Sequence, residues 1–169
     1  NGYNAIVGNN VTKYVKNDTQ FVAKLFDKNG NKLAEGTTVK LNINGVNYTR
    51  SVRADGSIQF NINLNPGEYV LTVTNPVTFE IDSFNITVIP TIDSKNLVKY
   101  YRNGSQFVVK LLDLQGNPVS GKTVTFNING VFYTRTSDAN GNAKLNINLQ
   151  PAEYIITSDY NGCKVSNTV

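Results

Sequence analysis

The sequence has no histidine, methionine or tryptophan and a single cysteine. Without histidine there is no Ser-His-Asp triad, no Cys-His pair, no imidazole metal site and no base titrating near neutrality. One thiol, Cys163, excludes a disulfide within the chain and a zinc site built from several thiolates. It reads as a small buried apolar residue. Charged residues are sparse at 17%, the net charge is +4, and neither half carries a basic run. A nucleic-acid footprint needs clustered charge, so none is expected. No signal peptide and no apolar run of membrane-spanning length is present, and any targeting segment is expected to lie outside this sequence. Carboxylate-based catalysis survives these exclusions, but no motif supports it. The expectation is of no enzyme, no catalytic residues, no cofactor and no metal.

What the chain does contain is strand and turn material. Apolar residues make up 40% of its 169 positions, alongside abundant Asn, Thr and Gly. It also matches itself. Phe21-Val22-Ala23-Lys24-Leu25-Phe26-Asp27 recurs as Phe107-Val108-Val109-Lys110-Leu111-Leu112-Asp113, and Asn42-Ile43-Asn44-Gly45-Val46 recurs as Asn127-Ile128-Asn129-Gly130-Val131. Between Val39–Tyr69 and Val124–Tyr154, 18 of 31 positions are identical. A period near 85 is too long for a solenoid repeat and fits a whole domain.

Within each copy apolar and polar residues alternate, as in Val124-Thr-Phe126-Asn-Ile128 and Phe60-Asn-Ile62-Asn-Leu64. Period two puts one face of a strand in a core and the other in water. Asn44-Gly45 and Asn129-Gly130 sit between alternating runs and predict type I′ hairpins, whose two central residues both need positive φ. Asp55-Gly56 and Asn140-Gly141 mark a further reversal. Leu64-Asn-Pro66-Gly67-Glu-Tyr69 predicts a turn followed by a tyrosine corner, with Tyr154 its counterpart; Ala152 replaces Gly67 there and predicts a different turn. The fold expected is all-β: two tandem Ig-like (Greek-key) β-sandwich domains of about seven strands each, residues 1–89 and 90–169. In the first copy the strands are placed near 4–7 with 11–16, then 20–27, 38–43, 46–52, 57–64, 68–74 and 79–88.

The run Lys99-Tyr-Tyr-Arg-Asn-Gly-Ser-Gln-Phe107, then Asp113-x-x-Gly116-Asn-Pro118, then Phe126-Asn-Ile-Asn-Gly130-Val-Phe-Tyr-Thr-Arg135, with Pro151-x-Glu-Tyr154 and Asn161-Gly-Cys163, resembles the bacterial-immunoglobulin-like repeats of adhesin-like surface proteins of methanogenic archaea. The first copy departs from this pattern after Val73, at Asn75-Pro76. The resemblance implies an extracellular, cell-wall-associated stalk or adhesion role, with neighbouring repeats of the same chain as partners. Cell-surface glycans or host and microbial surface proteins are further candidate partners. It identifies no ligand, and a monomer is expected. A dedicated carbohydrate- or host-protein-binding module is the second hypothesis. Five N-x-Ser/Thr sequons (Asn10, Asn17, Asn47, Asn85, Asn103) are compatible with a secreted context.

Related surface sandwiches carry Lys–Asn isopeptide bonds, which need a buried neutral lysine, an Asn on another strand and a proton-shuttling carboxyl group. Lys24 with Asn85, and Lys110 with Asn167, are the candidate pairs, read from Asn85 and Asn167 as matching places in the last strand; Lys13 and Lys99 are alternative lysines. The carboxyls that match between copies, Asp27/Asp113 and Glu68/Glu153, sit beside turns. The competing reading lets these lysines snorkel to solvent. Asp138-Ala-Asn140-Gly-Asn142 superficially resembles a calcium loop but lacks the remaining oxygen ligands, so a hairpin turn is expected. Asn42, Asn61, Asn63, Asn127, Asn146 and Asn148 are expected to line an outer sheet face, either as a wet charge-poor surface or as glycan contacts; Tyr48 and Tyr133 follow the Asn-Gly hairpins, and sheet packing explains them as well as exposed contacts do.

Overall fold

The computed structural model describes residues 4–97, 106–148 and 152–169. All regular structure among them is β. The chain divides into two compact units, Asn1–Lys13 with Asp18–Ile89, and Tyr14–Asn17 with Pro90–Val169.

In unit 1, β1 (Ile6–Gly8), β3 (Gln20–Leu25) and β6 (Ser57–Asn61) form a three-stranded sheet in the order β1-β3-β6. β2 (Val11–Tyr14), β4 (Thr38–Ile43), β5 (Val46–Ser51), β7 (Gly67–Thr74) and β8 (Ile81–Ile89) form a second, in the order β2-β8-β7-β4-β5. Strands from both halves of the unit alternate between the sheets, which is the Greek-key order of an immunoglobulin-type sandwich. Alternation fixes what each sheet buries. Phe21, Ala23 and Leu25 from one sheet meet Val39, Leu41, Ile43, Leu71, Val73 and Ile86 from the other, all almost inaccessible to solvent.

Unit 2 repeats the plan. β9 (Ile92–Ser94), β10 (Gln106–Leu111) and β13 (Asn142–Asn146) give the order β13-β10-β9. β11 (Thr123–Ile128), β12 (Val131–Thr136), β14 (Ile155–Tyr160) and β15 (Cys163–Thr168) give β12-β11-β14-β15. Phe107, Val109, Leu111, Val124, Phe126, Leu145 and Ile156 make the core. The two sandwiches predicted from the alternation are therefore present.

The predicted Asn-Gly hairpins form with two-residue loops, Ile43 facing Val46 and Ile128 facing Val131. Asn44 and Gly45 take φ of 54° and 75°, Asn129 and Gly130 55° and 78°, as a type I′ turn requires. Three expectations need correction. Asp55-Gly56 and Asn140-Gly141 do lie at turns, with Gly56 N donating to Arg53 O and Gly141 N to Asp138 O, both at 2.9 Å, but the turn at Asp138–Asn142 is not a hairpin: it carries the chain from β12 to β13, which lie in different sheets. β6 ends at Asn61 rather than Leu64, because Gln20, its last partner on β3, lies opposite that residue. β3 likewise stops at Leu25, leaving Phe26 in an isolated bridge to Lys32.

Candidate functional site

The proposed cross-link pairs are not brought together. On β3 the buried side is Phe21, Ala23 and Leu25, so Val22 and Lys24 point outward to solvent. On β8 the buried side is Phe84, Ile86 and Val88, so Asn85 points outward from the opposite sheet. Two sheets about 10 Å apart stand between residues on the two outer faces. In unit 2, Lys110 also points outward, whereas Asn167 is turned the other way. Its Oδ1 accepts from Ser94 Oγ at 2.7 Å and its Nδ2 donates to Asn96 Oδ1 at 3.1 Å. Ser94 lies opposite the fully buried Val109, not beside Lys110. Asn85 and Asn167 are also not equivalent. Leu71 pairs with Phe84, and its counterpart Ile156 pairs with Asn167. Phe84 is thus the counterpart of Asn167.

Among the described residues the buried lysine is Lys13, 5% exposed, whose Nζ donates to the carbonyl of Ile62 at 2.7 Å. Burial lowers its pKa, opposed by the charge of Asp18. This bond caps a backbone acceptor just past the end of β6. Lys99 lies outside the described residues.

Tyr69 Oη donates to the carbonyl of Asn65 at 2.8 Å, four residues upstream, which is the bond a tyrosine corner makes. Gly67 between them has φ 154°, and a Cβ there would lie 3.4 Å from the same hydroxyl. In unit 2, β14 begins at Ile155, where β7 begins at Gly67 in unit 1. The turn expected to differ in this copy runs through residues 149–151, outside the described residues. Tyr154 is half-buried, and its backbone exchanges hydrogen bonds with Val169 at 2.9 and 3.1 Å. Pro151 lies outside the described residues.

Three of the six outward asparagines pair with another side-chain amide. Asn42 Nδ2 donates to Asn47 Oδ1 at 2.8 Å, Gln20 Nε2 to Asn61 Oδ1, and Gln106 Nε2 to Asn146 Oδ1 at 2.7 Å. Asn127 Oδ1 accepts from the amide of Gly130 at 3.2 Å. Asn63 and Asn148 are exposed. The acidic loops use their carboxylates for the backbone. Asp138 Oδ1 accepts from the amides of Asn140 and Asn142 at 2.9 and 3.0 Å, and Asp113 Oδ1 from those of Gln115 and Asn117 at 2.9 and 2.8 Å. These bonds hold both carboxyls below the usual carboxylate range. Asp27 accepts from Asn29 and Asn31 in the same way. Glu68 and Glu153 are exposed. Among the described residues no cluster of three or more His, Cys, Asp or Glu could hold a metal ion. Cys163 is buried.

Two features were not read from the sequence. Asn75, fully buried, knots the β7–β8 connection: its Nδ2 donates to the carbonyls of Ala5 and Phe26 at 3.1 and 2.9 Å, and its Oδ1 accepts from the amides of Val77 and Thr78 at 2.9 and 3.2 Å. The following Phe79 stands 76% exposed with φ 65°. The Asn-Pro dipeptide was the available signal, since it favours turn initiation. The second is a stack. Tyr48 meets Phe60 at 5.0 Å between ring centroids, and the Arg50 guanidinium lies 4.9 Å from the Phe60 ring.

No protein-family model and no curated protein matches the chain. Among solved structures it is similar to the D0-D1 domain of intimin, with 15% identity over 96% of both chains and a TM-score of 0.39. It is similar to invasin, a bacterial integrin-binding protein, with 18% identity, a TM-score of 0.39 and coverage of 96% of this chain and 38% of that one. It is also similar to a β-glucuronidase of Parabacteroides merdae, with 13% identity, a TM-score of 0.37 and coverage of 94% and 22%. The chain thus spans well under half of the latter two. TM-scores below 0.5 leave the sandwich assignment to rest on the sheets and registers above.

Proposed function

We propose that the chain is a pair of Ig-like structural modules from a large extracellular, cell-wall-associated adhesin-like protein, acting as a spacer that holds a binding region away from the surface. The observation that carries this reading is the duplication itself. The repeated sequence closes a sandwich in each of the two compact units, with the same Asn-Gly hairpin and the same outward Gln–Asn pair. The position of β2 beside β8 adds a mechanical argument. An early strand and the last strand of unit 1 are hydrogen-bonded neighbours, so tension on the ends must break that ladder before the core opens. The resemblance to repeats of methanogen surface proteins supports the same role, and the self-paired amides suit a wet, unreactive exterior.

Stretching the full chain between handles tests it. Two separate force peaks are expected, each releasing roughly 25 nm of chain. One cooperative event releasing both halves together would overturn the spacer reading. Saturable binding of one defined glycan by the unstretched chain would replace it with a dedicated binding module.

A further inference from the structure

The two units differ by one ring at a shared place on the sandwich edge. In unit 1, Phe60 is buried against Tyr48 and lies under Arg50, whose Nη1 donates to its neighbour Thr49 O at 2.7 Å. The counterparts in unit 2 are Leu145, Tyr133 and Arg135, and Arg135 Nη1 makes the same 2.7 Å bond to Thr134 O. The frame is kept and the ring is gone. A groove of about 260 Å³ opens there, lined by Ile128, Tyr133, Arg135, Leu145, Ile147 and Asn148. Tyr133, facing Leu145 where Tyr48 faces Phe60, is 36% exposed. Unit 1 shows what such a frame holds: a phenyl ring, edge-on to a tyrosine, with a guanidinium above it.

The same chain carries a phenyl ring with no cover. Phe79 is 76% exposed, and its positive φ is strained for a bulky residue. The Asn75 knot holds it there, so little freedom is left to lose on docking. Val77 and Ile81 beside it are also exposed, and Glu80 and Asp82 make the tip negative. The groove presents the positive Arg135.

We propose that Phe79 of one copy inserts into the unit 2 groove of a second copy, its ring seated against Tyr133 over the buried Leu145, with the acidic tip facing Arg135. The contact is heterologous: each copy keeps a free tip or a free groove, so association continues from copy to copy. This departs from the monomer expected of the sequence, and it stands independently of the spacer role.

Sedimentation of the full chain from about 10 μM to about 1 mM, with NMR shifts followed over the same range, tests the proposal. Concentration-dependent association is expected, with shifts concentrated at Phe79, Tyr133 and Leu145. Phe79→Ser removes the tip and Leu145→Phe fills the groove, and each alone should abolish association. An equimolar mixture of the two variants retains one tip and one groove, and should form dimers and nothing larger. Glu80→Lys, a surface change, should weaken association about tenfold. A wild-type chain that stays monomeric over this range would overturn the proposal. So would association that persists in either single variant, or a mixture that fails to dimerise while both variants keep wild-type circular dichroism.

Discussion

Unit 1 closes its core with an aromatic residue where unit 2 uses a polar pair. Phe84 packs on Phe21 at 5.0 Å between centroids, and Gly8 makes room for it: a Cβ on Gly8 would lie 3.2 Å from the ring. In unit 2 the places of Gly8 and Phe84 are taken by Ser94 and Asn167, which hydrogen-bond to each other. Nearby, Val73 of unit 1 is replaced by Ser158, equally buried, whose hydroxyl has no hydrogen-bond partner among the described residues. The lesson is that the duplicated pattern specifies the sandwich, while pairs of residues facing each other across it change together. A ring needs a glycine opposite; a serine needs an amide. Unit 2 has exchanged apolar burial for polar contacts and should be the less stable half.

The comparison breaks most sharply at Phe84. Phe84→Ala should destabilise unit 1 by about 3–5 kcal/mol and leave the unit 2 transition in place, as read by denaturant unfolding of the full chain. If both transitions moved together, the cores would not be separate. Ser158→Val sharpens the contrast from the other side. It removes that buried hydroxyl and restores the unit 1 residue, so unit 2 should gain about 1–2 kcal/mol. The smallest effect is acid sensitivity. Asp113 and Asp138 in unit 2 and Asp55 in unit 1 have depressed folded pKa values; the leading cause for Asp55 is the Ser57 hydroxyl. A depressed carboxyl contributes stability that is complete above its unfolded value of about 3.9 and is lost as pH falls through the folded one. Melting followed from about pH 5 to about pH 2 should therefore show both transitions falling, that of unit 2 further.

Much of this fold was legible. The Asn-Gly turns fix register because few residues other than Asn and Gly accept positive φ twice in succession, and the alternation on either side then assigns each face. Legibility ended at Val73. Beyond it the copies differ in loop length. The β14–β15 turn is a two-residue Asn161-Gly162 hairpin with φ of 51° and 78°, whereas Asn75 knots a longer connection in unit 1. With no shared turn to anchor it, the alignment of Asn85 with Asn167 slipped by one residue. In a strand that slip exchanges inside for outside. The cross-link hypothesis rested on that register. The Lys13 bond to Ile62 and the groove beside Leu145 depend on contacts between segments remote in sequence, and periodicity carries no signal for them.

Cys163 gives the molecule a built-in gauge. It is the chain's sole sulfur atom, 1% exposed, at the start of β15 in unit 2. An alkylating reagent can reach it only when that half opens, whatever the other half is doing. The labelling rate of an otherwise unaltered chain therefore times the opening of one module within a pair, in solution or under load.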